Sequence, residues 1–163
     1  MRIKTIKLIS LFGTLLLALS AVSVQAETPK RGGTLVWSIG TTPRHLNPAV
    51  QSGIATGAPG AQLFATLVRF DDKWNAHPYL AKSWQTSADG LAVTFNLVEG
   101  ATFHDGTPIT SKDVAFSIKT IKANHPFKTM FRAVSSVETP NANTVVFKLS
   151  QPHPALMLAL SSQ

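Results

Sequence analysis

Cysteine is absent from the 163 residues, so no disulfide framework, thiol nucleophile or soft-metal site can be built. Nor is there a residue for lipid attachment behind a secretion leader. Histidine occurs five times, as His45, His77, His104, His125 and His153. None are spaced i, i+2 or i, i+4, and His-Glu-x-x-His is missing, so no metal site is expected. A Gly-x-Ser-x-Gly elbow is missing too. Without a convergent acid, base and nucleophile, the chain is expected to have no catalytic residues and not to be an enzyme. Charged residues make up only 14% of the chain, with a net charge of +7. The cations are dispersed rather than gathered into a basic run with interleaved aromatics, which argues against a nucleic-acid partner and makes a membrane-surface role weak.

A long uninterrupted apolar run is lacking as well. Leu8 to Leu19 is mostly apolar but contains Ser10, Gly13 and Thr14, and it is short of the ~20 residues that span a bilayer. Arg2, Lys4 and Lys7 precede it, and Val24-Gln25-Ala26 follows with small-x-small spacing. Residues 1–26 therefore read as a cleaved signal peptide, with the mature chain starting at Glu27. Because no cysteine follows, a freely soluble periplasmic protein is expected rather than a lipoprotein.

What is present is concentrated between Leu80 and Ile118. Trp84, Leu91, Val93, Phe95 and Leu97 are spaced for one face of two strands, and Asp89-Gly90 marks the reversal between them. His104-Asp105-Gly106-Thr107-Pro108 collects turn residues, so His104 beside Asp105 reads as a loop rather than a catalytic pair. Thr110 and Asp113 then form a capping box. Val114, Ile118 and Ile121 make a helical stripe, with Lys112, Lys119 and Lys122 on other faces. Phe116 lies off the stripe and is expected to touch a second layer.

Elsewhere the pattern predicts a strand over Thr34–Ile39, a long loop over Gly40–Gly57, and a short helix over Gly57–Thr66. Pro59 would lie in that helix's first turn, with Leu63, Phe64 and Leu67 inward. A strand is expected over Leu67–Phe70, ended by the solvated turn Asp71-Asp72-Lys73. Trp74 and Tyr79 flank Pro78 as a satellite of the core. Trp84 is expected in the core, and Trp37 is left open between core and pocket. Asn124-His125-Pro126 stops the central helix. Val134–Glu138 and Thr144–Leu149 form a hairpin around Pro140-Asn141-Ala142-Asn143, and Pro154 opens a last helix, Ala155–Leu160. That helix is expected to lack packing partners because Gln163 follows so closely.

Trp84, Asp89-Gly90, Thr94-x-Phe95-x-Leu97, Gly100 and Phe103-His104-Asp105-Gly106-x-Pro108-x-Thr110-x-x-Asp113-Val114-x-Phe116-Ser117 together resemble the signature of the family 5 extracytoplasmic solute-binding proteins. These are peptide- and nickel-binding components of bacterial ABC importers, and the resemblance runs from about Gly32 to the last residue. It implies an α/β protein with a periplasmic-binding-protein-like type II fold, N-terminal part only. Residues 27–64 would open the first lobe, and residues 65–163 would form a peripheral α/β subdomain truncated at its C-terminal end.

The implied function is capture of a peptide or other small solute for an ABC permease in the inner membrane. The protein would act as a monomer without a cofactor, and this chain alone would bind weakly or not at all. Nickel or haem binding, known in relatives, finds no assignable ligands. After the motif Leu46-Asn47-Pro48, the resemblance places Ser52, Gly53 and Ile54 where the backbone approaches a bound peptide. From the residues alone, Gly53 reads rather as a turn glycine. The alternative is a free-standing periplasmic interaction module without a transport role.

Overall fold

The computed structural model describes residues 31–161. The chain divides into two units between Trp37 and Ser38, and the leader lies outside the described residues. No strand forms over Thr34–Ile39, where Leu35 and Val36 are each 88% exposed. The period-two alternation is there, but a strand also needs a neighbour for its N–H and C=O groups.

From Ser38 on, the first regular element is helix α1, Ile54–Leu63. It begins three residues earlier than the sequence pattern suggests, so Pro59 sits inside it rather than in its first turn. Gly53 makes this early start possible: its φ of 107° lets the chain turn sharply into the helix. Leu63 and Phe64 are 58% and 52% exposed rather than inward, whereas Leu67 is buried.

Strands β1, Val68–Phe70, and β2, Ala76–Pro78, form a small antiparallel hairpin. The turn between them exposes Trp74, which has a φ of 63° and contacts Phe70 at 6.2 Å rather than joining the core.

The main layer is a four-stranded antiparallel sheet of β3 (Ala81–Thr86), β4 (Ala92–Leu97), β5 (Val134–Asn141) and β6 (Thr144–Leu149), in the order β3-β4-β6-β5. The Asp89-Gly90 reversal forms as expected. Gly90 has a φ of 70°, and the Asp89 carboxylate accepts the Leu91 N–H at 3.0 Å and the Ser87 hydroxyl at 2.6 Å. Val93, Phe95 and Leu97 alternate inward with Val145, Phe147 and Leu149. Phe95 and Phe147 meet edge to face at 5.4 Å, and half-buried Trp84 packs on Phe95.

Helix α2, Ser111–Asn124, covers this face through Val114, Ile118 and Ile121. Its first turn is closed by the Asp113 carboxylate, which accepts the Thr110 N–H at 2.7 Å and the Thr110 hydroxyl at 2.8 Å. Ser111, 1% exposed, ties the helix start to the β5–β6 turn by donating its N–H to Ala142 O and its hydroxyl to Asn141 O. Phe116 is 70% exposed, so it is not buried under a second layer among the described residues.

A 3-10 turn, Lys128–Phe131, follows α2. The chain then closes with the short helix α3, Leu156–Ala159, whose Leu156, Ala159 and following Leu160 are buried. The expectation that this helix lacks partners is therefore corrected: it packs beside the 3-10 turn and joins the core.

Candidate functional site

The segment before α1 is shaped by short side chains. The Asn47 carboxamide accepts the Ala49 N–H at 2.9 Å, which folds Leu46-Asn47-Pro48 into a turn. The turn lays Pro48 on α1 at Gly60, where an added Cβ would stand 2.9 Å from the Pro48 ring carbons. The chain then passes through Gln51 and Ser52 to Gly53, whose carbonyl accepts the Gly57 N–H at 2.8 Å and the Thr56 N–H at 3.2 Å.

Beside this corner lies a cleft of about 300 Å³ walled by Ser52, Gly53, Gly57, Phe64, Tyr79 and Phe127 among others. Gly53 and Gly57 stand one helical turn apart, so apart from the Ala61 methyl this wall is backbone. Ser52 and Gly53, singled out from the sequence, are thus brought onto the cleft wall. Ile54 is not: it starts the helix and is 70% exposed. Gly57, Tyr79 and Phe127 were not singled out. The Gly53-x-x-x-Gly57 spacing was a usable signal for the first, but nothing local marks the other two.

Each aromatic wall has its own support. Tyr79 follows the β1–β2 hairpin and lies under the Arg69 guanidinium, 6.0 Å from its ring centre. The hairpin's tip is fixed by Asp71, whose carboxylate accepts the Lys73 and Asn75 N–H groups and lies 2.9 Å from His77 Nε2. The bond with His77, then those from Asn75, hold the Asp71 carboxyl well below the usual carboxylate range.

Phe127 is positioned by His125. His125 Nδ1 accepts the Phe127 N–H at 3.0 Å, and the two rings meet edge to face at 5.6 Å. His125 is 1% exposed, and burial pushes its pKa below the ordinary histidine value.

Among the described residues, no ionised side chain walls the cleft. Its polar groups are backbone, the hydroxyls of Ser52, Thr66, Tyr79 and Ser161, and the Gln51 amide. The first-turn N–H groups of α1 have neither a capping side chain nor a neighbouring carboxylate. Of these groups the Thr56 N–H bonds to Gly53 O, and neither Ile54 nor Ala55 is on the cleft wall, so on this side the cleft is walled by Ser52, Gly53 and Gly57 rather than by the free first-turn amides. Such a cleft can hold an uncharged or anionic group through backbone and hydroxyls, with aromatic faces against apolar portions. Asp105 and His104 lie elsewhere, in a turn where the Thr107 N–H and hydroxyl bind the Asp105 carboxylate.

The family model for bacterial extracellular solute-binding proteins, family 5 middle, matches residues 75–163. A Brucella ovis protein, provisionally named an ABC transporter peptide-binding protein, is 41% identical over 121 residues, covering 72% of this chain and 22% of the relative. The dipeptide-binding protein of Escherichia coli is 28% identical, covering 91% of this chain and 32% of the relative. Among solved structures, NikZ from Campylobacter jejuni in complex with Ni(L-His) aligns with a TM-score of 0.67 and 35% identity, covering 74% of this chain and 25% of that one. The chain thus spans about 22% of the length of the first relative it matches. Its α/β fold is that of the type II periplasmic-binding-protein class.

Proposed function

The chain belongs to the bacterial extracellular solute-binding proteins of family 5, and from that premise we propose that it serves peptide capture for an ABC importer. The peptide would lie in the cleft where Ser52 and Gly53 meet α1. The observation that carries this reading is an uncharged cleft walled by Ser52 and by the side-chain-free backbone of Gly53 and Gly57. A peptide presents carbonyl and N–H groups at every residue, and exposed backbone pairs with them whatever the side chains are. The relatives named for peptide binding support the same class of ligand.

The role is binding without catalysis. The leader directs the protein to the periplasm and is cleaved after Ala26, and the partner is an inner-membrane permease. Ligand shifts the two-lobed protein toward its closed state because it binds that state better, and closure is the signal the permease reads.

Calorimetric titration of the 163-residue chain with di- and tripeptides, nickel–histidine and haem tests the ligand class. Weak, saturable heats with the peptides and none with the other two are expected. Stronger binding of nickel–histidine or haem than of any peptide would overturn the reading.

A further inference from the structure

Strand β5 lies at one margin of the main sheet, and the direction of its unpaired groups follows from the register. Leu149 gives its N–H to Leu91 O at 2.8 Å, on the β4 side. By antiparallel alternation Phe147 also faces β4, while Lys148 and Val146 face β5. Their β5 partners are Ser136 and Glu138. Val137, opposite Phe147, and Val134, opposite Leu149, therefore turn N–H and C=O away from the sheet. Lys122 Nζ donates to the Val134 carbonyl. The Val137 groups have no partner among the described residues.

This edge adjoins a groove of about 540 Å³ between α2 and β5, lined by Phe116, Lys119 and Lys122 from the helix and Ser135, Ser136 and Val137 from the strand. Phe116 lines it and is still 70% exposed. Among the described residues, no carboxylate lines it. Glu138, next along the strand, points to the opposite face by the pleat and lies 3.9 Å from Lys148.

We propose that this groove takes an extended acidic polypeptide segment as a fifth strand. It would pair with Val137, place an apolar side chain on Phe116 and set a carboxylate against Lys119. An unpaired edge is a template for strand addition, and alternate side chains of the added strand would fall under α2. The irregular register at 134–136 and Pro140, which has no N–H, bound the docking window. The charge of the groove selects an acidic segment over a basic one.

Fluorescence anisotropy tests this with a labelled, end-blocked peptide of about ten residues alternating valine and glutamate, titrated with the 163-residue chain. Saturable binding is expected, weakened by added salt. It should fall by about tenfold in Lys119→Glu and Phe116→Ser. Val137→Pro should weaken it similarly, because proline removes the outward N–H without taking a β5–β6 bond. If Val137→Pro fails to fold, Lys119→Glu and Phe116→Ser, both at exposed positions, decide. Equal binding of a valine–lysine peptide overturns the proposal, as does unchanged affinity in the folded variants. Dimerisation of the chain through this edge, seen by sedimentation, overturns it by giving the edge to a second copy.

Discussion

Pro48 rests directly on Gly60: a Cβ built on the glycine would lie 2.9 Å from both Cβ and Cγ of the proline ring. This contact joins the Leu46-Asn47-Pro48 turn to α1 and so fixes the path of the chain into Ser52 and Gly53. Gly60→Ala would raise intrinsic helix propensity by about 1 kcal/mol, but the rigid ring must then move. Net destabilisation of about 1–3 kcal/mol is expected from such overpacking. Gly57→Ala meets nothing within 4 Å and should be neutral or stabilise by up to about 1 kcal/mol. Chemical denaturation of the two variants gives the comparison.

The Asp113 carboxylate holds the first turn of α2 through the Thr110 N–H and hydroxyl. Asp113→Ala should cost about 1 kcal/mol, the usual worth of a helix cap. Asp113→Glu should restore most of it, since Glu is the ordinary partner in a capping box. Thermal melts of the three proteins check this order.

His125 is neutral when buried, and its Nδ1 must stay unprotonated to accept the Phe127 N–H. Its folded pKa is depressed, so the unfolded chain takes up the proton first. Its contribution to stability is present above the unfolded value of about 6.5 and declines as pH falls below it. His125→Asn keeps an acceptor for Phe127 and removes the titration. The stability profile between about pH 7 and pH 5 should then flatten. An unchanged slope would show that another group titrates there.

Asp71 also has a depressed folded pKa, caused first by its bond with His77. Its contribution to hairpin stability is present above the unfolded value of about 3.9 and is lost only as pH falls toward the lower folded pKa. In an NMR titration its side-chain carboxyl should still be ionised at about pH 3, where ordinary aspartates are mostly protonated. A midpoint near the ordinary value would contradict the hydrogen-bond set at the hairpin tip.

Features encoded within a few residues were legible in the sequence. The Asp89-Gly90 reversal, the Thr110–Asp113 start, the stop at His125-Pro126 and the hairpin around residues 140–143 each carry their own turn or capping chemistry. The Val114, Ile118, Ile121 stripe was legible because one face of a helix is buried. The features that depended on distant partners were misread. Thr34–Ile39 has strand alternation but no strand. Trp74 and Phe116 are large and apolar yet exposed. The early start of α1 was hidden because its Ala, Gly and Pro residues carry no amphipathic stripe. Ser52 and Gly53 came from resemblance to a family rather than from spacing, while Tyr79 and Phe127 reach the cleft through tertiary folding alone.

The most direct test of peptide capture is to follow the backbone amides of the 163-residue chain by NMR while a tripeptide is titrated in. Saturable shifts concentrated at Ser52, Gly53 and the first turn of α1 are expected, and Ser52→Pro should abolish or strongly weaken them. Shifts confined to other surfaces, or undiminished binding in a folded Ser52→Pro variant, would contradict the assignment of this cleft.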